Sequence, residues 1–176
     1  MANDVILETE RLYFRAHILA DLDAYCTMEA DPDFRRYVGG LPRRREEAEQ
    51  KFKDGLSQPI IDNLSMWAMV YKPENKYIGR CGVYPHFNSE SRPIPGEGAF
   101  GVYLDKAYWG MGLATEAGKA FIDFGLNQLK LHRIVTAIDT RNDASVHVIE
   151  KIGFKLHQIE KGALRSFYHY IIEPKS

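Results

Sequence analysis

Tyr108-Trp109-Gly110-Met111-Gly112-Leu113-Ala114-Thr115-Glu116-Ala117 is the stretch on which the reading of this chain turns. A Gly-x-Gly turn stands between an apolar run, Ala99 to Leu104, and a stretch of helical spacing from Leu113 to Leu129. Two glycines let a backbone turn tightly and bring its N–H groups close to a ligand. The helix that follows begins with unpaired N–H groups and a partial positive charge. Together they make a seat for a phosphate or pyrophosphate. The candidate contacts are the amides of Trp109, Gly110, Met111, Gly112, Leu113 and Ala114, with the Thr115 hydroxyl.

Outward from the turn, Leu113, Ala117, Ala120, Phe121 and Phe124 recur at helical spacing. His132 to Ile138 is a nearly continuous apolar strand, as expected where both sheet faces are covered. Asn142 to Ile152 reads as a helix stopped by Gly153, and Phe154 to Ile159 with Leu164 to Ile172 as two closing strands. Upstream, Leu12 to Ile18 reads as a strand, Asp21 to Ala30 as a helix ended at Asp31-Pro32, and Pro42 to Leu56 as another helix. Ser65 to Tyr71 and Tyr77 to Tyr84 form a hairpin across Lys72-Pro73-Glu74-Asn75-Lys76. Pro85 to Gly96, rich in proline and serine, reads as a mobile surface loop. The expected fold is α/β: a mixed, mostly antiparallel sheet of about seven strands, helices on both faces and one parallel crossover. No composition shift marks a boundary, so residues 1–176 read as one domain.

The chain's 176 residues, 45% hydrophobic and 27% charged, suit an ordinary globular domain with a sizeable core. A formal net charge of -1 gives no reason to expect nucleic acid as a partner. Arg43-Arg44-Arg45 is followed at once by Glu46, Glu47 and Glu49, a solvated helix face. Cys26 and Cys81 offer neither a disulfide framework nor metal-ligand spacing, and the six histidines show no ligand pairing, so no metal is expected. No apolar stretch approaches the roughly 20 residues of a membrane span, and Met1 to Val5 is polar and acidic, unlike a signal peptide. The expected setting is cytoplasmic.

Three kinds of glycine turn compete for the phosphate. A P-loop needs Gly-Lys-Ser/Thr after four residues; here Gly118-Lys119 comes one residue late and Ala120 replaces the hydroxyl. A dinucleotide fingerprint needs a third glycine, where this chain has Thr115, and an acid near Asp139 to hold a ribose. That alternative, a nucleotide-binding oxidoreductase, conflicts with Asp105 to Trp109 separating strand from turn. The third kind fits the residues. Gly110 and Gly112 with Leu113-Ala114-Thr115-Glu116-Ala117 resemble the acyl-CoA pyrophosphate loop, R/Q-x-x-G-x-G/A, of the GNAT superfamily of N-acetyltransferases. The stretch is especially similar to the branch that acetylates ribosomal-protein N-termini at alanine. Leu7-Glu8-Thr9-Glu10-Arg11-Leu12 with Arg15 resembles that branch's opening. Asn142-Asp143-Ala144-Ser145 and Glu150-Lys151-Ile152-Gly153-Phe154 resemble its later segments. Ala107 departs from the pattern at the R/Q position, removing one charge contact.

The resemblance implies acetyl-CoA as cosubstrate and direct attack by a primary amine, from a protein N-terminus or a small molecule, in a ternary complex. A monomer or homodimer is implied. The pantetheine arm is expected along Gly101 to Leu104 (Val102, Tyr103 and Leu104 among its contacts), where the strand should bulge or splay from its neighbour. A backbone N–H of Tyr103 or Leu104 would hold the developing oxyanion. The branch commonly carries an acid two residues before the strand glycine; that position is Ala99. Glu97, two residues earlier, is the candidate general base, or else a solvated strand-edge residue. Ser145 is the candidate hydrogen-bond partner of the leaving thiolate. Asn142 caps its helix, pairs with pantetheine, or both. Lys151 either reaches the ribose phosphate or is solvated. A CoA-binding module without catalysis would keep Gly110, Gly112 and Asn142 but lack a working base.

Overall fold

The protein is described by a computed structural model covering residues 5–174; Met1 to Asp4, read above as polar and acidic, lie outside it. Eight strands form one sheet in the order β1-β2-β3-β4-β5-β6-β8-β7: β1 (Val5–Glu8), β2 (Leu12–Arg15), β3 (Trp67–Tyr71), β4 (Lys76–Phe87), β5 (Pro93–Leu104), β6 (Arg133–Asp139), β7 (Lys155–Lys161) and β8 (Ser166–Ile172). The helices are α1 (Leu22–Ala30), α2 (Pro32–Arg35), α3 (Arg45–Leu56), α4 (Leu113–Asp123) and α5 (Asp143–Lys151). Neighbouring strands are antiparallel except β5 and β6. The connection between those two is the crossover through α4.

Strand alternation divides the core. Phe14, Met69, Cys81, Val83 and Phe100 turn to one face, where Leu113, Ala117 and Phe121 of α4 and Ile149 of α5 cover them. The rings of Phe14 and Phe121 meet edge to face at 4.8 Å. On the opposite face Ala68 and Tyr77 pack under Tyr25, Met28, Phe34 and Phe52 of α1 to α3. Helices therefore lie on both faces, as the two periodicities require.

Three local readings are corrected and one is extended. The sheet has eight strands rather than about seven, because Val5–Glu8 adds an edge strand too short and too apolar to show alternation. Pro85 to Gly96 is not a loop. β4 and β5 continue through it as a hairpin, closed by Asn88, whose side-chain oxygen accepts from the amides of Glu90 (2.9 Å) and Arg92 (3.0 Å). Pro93 and Pro95 are tolerated because β5 pairs with β6 only from Glu97 onward, so their missing N–H groups leave no ladder bond open on that side. The helix predicted to run unbroken from Leu113 to Leu129 opens into a π turn at Phe124–Gln128. Leu129 there donates to the Phe124 carbonyl at 3.0 Å, and the extra residue leaves Gly125 flat against Ile134. Asp31-Pro32 ends α1 but also starts α2. The Asp31 carboxylate caps the amides of Asp33 and Phe34.

Candidate active site

Gly110 and Gly112 both adopt positive φ, +74° and +76°. An L side chain there sits in the left-handed region, at a cost of about 1–2 kcal/mol. Gly112 is the residue before α4, and no side chain caps it. Among the described residues, the amides of Gly110 to Thr115 donate to no protein acceptor. The first amide taken is that of Glu116, to the Gly112 carbonyl at 3.0 Å. Nothing lies within 4 Å of where a Gly110 Cβ would stand. Six consecutive free donors at a helix N-terminus, with open space before them, fit a pyrophosphate. The run starts one residue later than read above. The Trp109 amide is held by the Lys106 carbonyl at 3.2 Å, which leaves Trp109 only its half-exposed ring, whose indole N–H caps the Leu104 carbonyl at 2.8 Å.

Two residues missed as site residues brace this turn. Glu116 accepts from the Thr9 hydroxyl (2.6 Å), the Arg11 amide (2.9 Å) and Arg11 Nε (2.7 Å), while Arg11 Nη1 donates to the Met111 carbonyl at 2.9 Å. Both segments had been quoted as family-like, but nothing in sequence spacing links position 11 to position 116. Arg11→Met is expected to raise the KM for acetyl-CoA about three- to tenfold with kcat little changed, because a charge-assisted bond of about 1.5 kcal/mol holds the loop. Steady-state kinetics at saturating acceptor reads it. An unchanged KM removes Arg11 from this role.

Parallel pairing between β5 and β6 covers only Glu97↔Arg133, Gly98↔Ile134 and Ala99↔Val135. The Thr136 hydroxyl then donates to the Phe100 carbonyl at 3.0 Å, and past it the strands part. The expected splay is present, beginning one residue before Gly101. Backbone groups alternate sides along a strand. The Phe100 carbonyl faces β6 and the Asp105 amide goes to Ile78 of β4 at 2.8 Å. Residues 102 and 104 thus turn their N–H groups into the gap, while Tyr103 turns its own toward Arg80 on β4. Tyr103 is corrected as an oxyanion donor and Leu104 remains; Val102, read above only as a pantetheine contact, also turns its N–H into the gap, nearer the apex. On the far side of the gap, Asn142 caps α5 by accepting from the Ser145 amide at 3.2 Å. That leaves the Asn142 side-chain amide and the Ser145 hydroxyl without a protein partner among the described residues. Lys151 is exposed in the last turn of α5.

Glu97 is not the solvated edge residue considered above. It is buried and pairs with Arg133, with His86 Nδ1 at 2.8 Å and with His132 Nε2 at 3.6 Å. Burial alone would push its carboxyl up, but the bonds from Arg133 and His86 outweigh this and hold it below the usual range. It also stands at the closed end of the pair, opposite Arg133, rather than beside the gap. Ala99, where the resembling branch has an acid, is paired with Tyr84, whose hydroxyl is raised to about 12, first by burial and then by Tyr103. Tyr84 is thus no proton acceptor near neutrality. Tyr170 is a buried core residue whose hydroxyl donates to Glu150 at 2.9 Å. Asp139, which the dinucleotide alternative needs for a ribose, is instead gripped by Arg141 through Nε (2.8 Å) and Nη2 (2.7 Å). With only one parallel pair in the sheet, that alternative fails.

A splayed parallel pair, a glycine turn of free amides ahead of α4 and an asparagine-capped α5 together define an acyl-CoA-dependent acyltransferase. Residues 11–155 match the family model described as acetyltransferase (GNAT) domain. The chain belongs to that family and is an acetyl-CoA-dependent N-acetyltransferase. It is 26% identical over 162 residues, 92% of this chain and 86% of the other, to the uncharacterized N-acetyltransferase p20 of Bacillus licheniformis. Its fold matches a GNAT-family acetyltransferase from Bacillus anthracis with TM-score 0.81 at 22% identity, covering 95% and 97% of the two chains. It also matches the spermidine N-acetyltransferase of Vibrio cholerae solved with CoA and spermine, with TM-score 0.75 at 18% identity, covering 94% and 96%. No helix among the described residues is long and apolar enough to cross a membrane.

Proposed function

We propose that the acceptor is a primary amine, a small molecule or a protein N-terminus, that attacks acetyl-CoA directly in a ternary complex. The observation that carries this is the gap between β5 and β6, opening toward the free amides at 110–115. Those amides and the Thr115 hydroxyl would hold the diphosphate. The gap-facing groups of Val102 and Leu104, with the Asn142 side chain, would hold the pantetheine amides. When bound, acetyl-CoA supplies a thioester-activated acetyl group. The Val102 N–H would stabilise charge building on its carbonyl oxygen, and the Ser145 hydroxyl would hydrogen-bond the departing sulfur. Lys151 would lie near the ribose phosphate.

The attacking amine must first lose a proton. With its charge held by Arg133, Glu97 is a weak base. The half-buried imidazole of His86, fixed through Nδ1 by Glu97, is the better acceptor of the two. Glu97 then acts as a positioning residue that sets the imidazole tautomer. His86→Gln is expected to lower kcat/KM about 10²-fold, the usual contribution of a general base. Glu97→Gln, which removes only the partner that fixes the imidazole through Nδ1, should lower kcat/KM less than His86→Gln. A kcat/KM equal to wild type in both variants rejects the pair. The reading as a whole is tested by following free-thiol release from acetyl-CoA against primary amines and N-terminal peptides. Binding of acetyl-CoA without turnover on any of them would leave a non-catalytic CoA-binding module.

A further inference from the structure

Two clusters of arginine flank the open end of the gap, and in each the guanidinium groups outnumber the carboxylates. On the β5 side Glu29 is shared by Arg35 (3.1 Å), Arg80 (2.8 Å) and Arg43. The Arg80 guanidinium lies over the rings of Tyr103 (4.7 Å) and Tyr25 (4.9 Å), and its Nη1 is buried without a partner. On the β6 side Asp139 is shared by Arg141 (2.7 Å) and Arg165 (3.8 Å). One segment, α2 and the turn after it, joins the two. Phe34 packs on Tyr103 at 6.4 Å, the Arg36 carbonyl accepts from Arg165 Nη2 at 3.2 Å, and Arg141 lies over the Tyr37 ring at 5.9 Å. That segment therefore straddles the opening between the parted strands, on the face opposite α4 and α5.

Resting on the acetyltransferase reading above, we infer that the acceptor is a small primary amine that also bears an oxyanion, a carboxylate or a phosphate, seated against Arg141 and Arg165. Both guanidiniums are partly exposed, yet they share a single buried carboxylate, so one positive charge is left uncompensated where an acceptor must enter. Arg141 spends Nε and Nη2 on Asp139, and Arg165 spends Nη2 on the Arg36 carbonyl. Among the described residues each keeps Nη1 without a protein acceptor, and paired guanidinium donors match oxyanion geometry. The excess charge of the Glu29 cluster on the other wall adds to the same field, which draws anions in and repels polycations. A polyamine, the ligand named for the Vibrio cholerae structure, would meet only repulsion from these arginines.

The test is a panel of alanine, O-phosphoethanolamine, butylamine, spermidine and a neutral peptide amide, assayed by thiol release at two salt concentrations, with acetyl-CoA affinity measured by calorimetry. The expected result is that kcat/KM for alanine or O-phosphoethanolamine exceeds that for butylamine and spermidine at least tenfold and falls with salt. Whichever of the two leads identifies the oxyanion as carboxylate or phosphate. Arg165→Met should raise the acceptor KM about tenfold with kcat and acetyl-CoA affinity unchanged, and Arg165→Lys should restore part of the loss. The inference is overturned if spermidine, butylamine or the peptide amide is preferred, or if Arg165→Met leaves the preference intact. Unchanged acetyl-CoA binding in those cases separates this failure from failure of the acetyltransferase reading.

Discussion

Replacing Gly110 and Gly112 together by alanine is expected to weaken acetyl-CoA binding by roughly two orders of magnitude, with the fold retained. Each glycine holds a positive φ, and an alanine there costs about 1–2 kcal/mol. The backbone escapes that cost by rotating out of the left-handed region, which turns the 110–115 amides away from their shared focus. The combined penalty of about 2–4 kcal/mol corresponds to a loss of about 30- to 1000-fold, since each 1.4 kcal/mol is tenfold. Steric crowding adds little, because an alanine Cβ meets nothing within 4 Å at Gly110 and only the end of Arg11, at 3.6 Å, at Gly112. The mechanism is therefore conformational. It predicts that Gly110→Asn, a residue that tolerates positive φ, loses less than Gly110→Ala. Calorimetry with acetyl-CoA reads all three variants. If the double variant binds within about threefold of wild type, the glycine turn is not the diphosphate seat.

The turn was legible because it is local. Two glycines, a strand before and a helix after lie within about 30 residues, and backbone geometry links them directly. The splay at Phe100 was also reachable, since the pantetheine strand follows from the position of the turn. The brace between Arg11 and Glu116 was not legible, because 105 positions separate its ends and only the placing of β2 beside β3 and under α4 brings them together. Glu97 failed for a related reason. Strand alternation gave its face correctly, but its partners Arg133 and His86 come from two other strands, and they turn a candidate base into a buried ion-paired group. The hairpin through Pro85 to Gly96 defeated turn statistics because its prolines sit on a stretch with no neighbour on one side. At Asp139 the acid-sensitive partner was likewise nonlocal in part. Its carboxyl is held to about 2, chiefly by Arg141 hydrogen bonds and further by Arg165, against the pull of burial. A depressed folded pKa contributes stability above the unfolded value near 4 and loses it as pH falls toward 2.

The largest expected loss of stability lies at Glu29, which is fully buried and answers three guanidinium groups at once. Removing one partner of a buried ion cluster costs about 3–5 kcal/mol, because the charges left behind are neither paired nor hydrated. Glu29→Gln keeps the shape and a carbonyl acceptor, so it isolates the charge. It leaves Arg35, Arg43 and Arg80 with no counter-ion, on a site where α1, α2 and β4 meet. For a domain of this length each kcal/mol moves the melting midpoint by about 2–4 °C, so a drop on the order of 10 °C is expected. Acid should reproduce the effect. Burial pushes the Glu29 carboxyl up, but Arg80, then Arg43 and Arg35, hold it below the usual range. The stabilisation is thus complete above the unfolded carboxylate value near 4.3 and is lost as pH falls through the lower folded value. Glu29→Gln should flatten that part of the pH–stability curve. Glu47→Gln, which keeps an acceptor for the Arg44 amide and loses only the exposed charge pair with the Arg44 guanidinium, should move the midpoint and the curve far less. If Glu29→Gln melts within about 2 °C of wild type, the three arginines are satisfied without it. The cluster would then hold less excess charge against the gap than its geometry indicates, and the preference for an anionic acceptor would rest on Arg141 and Arg165 alone.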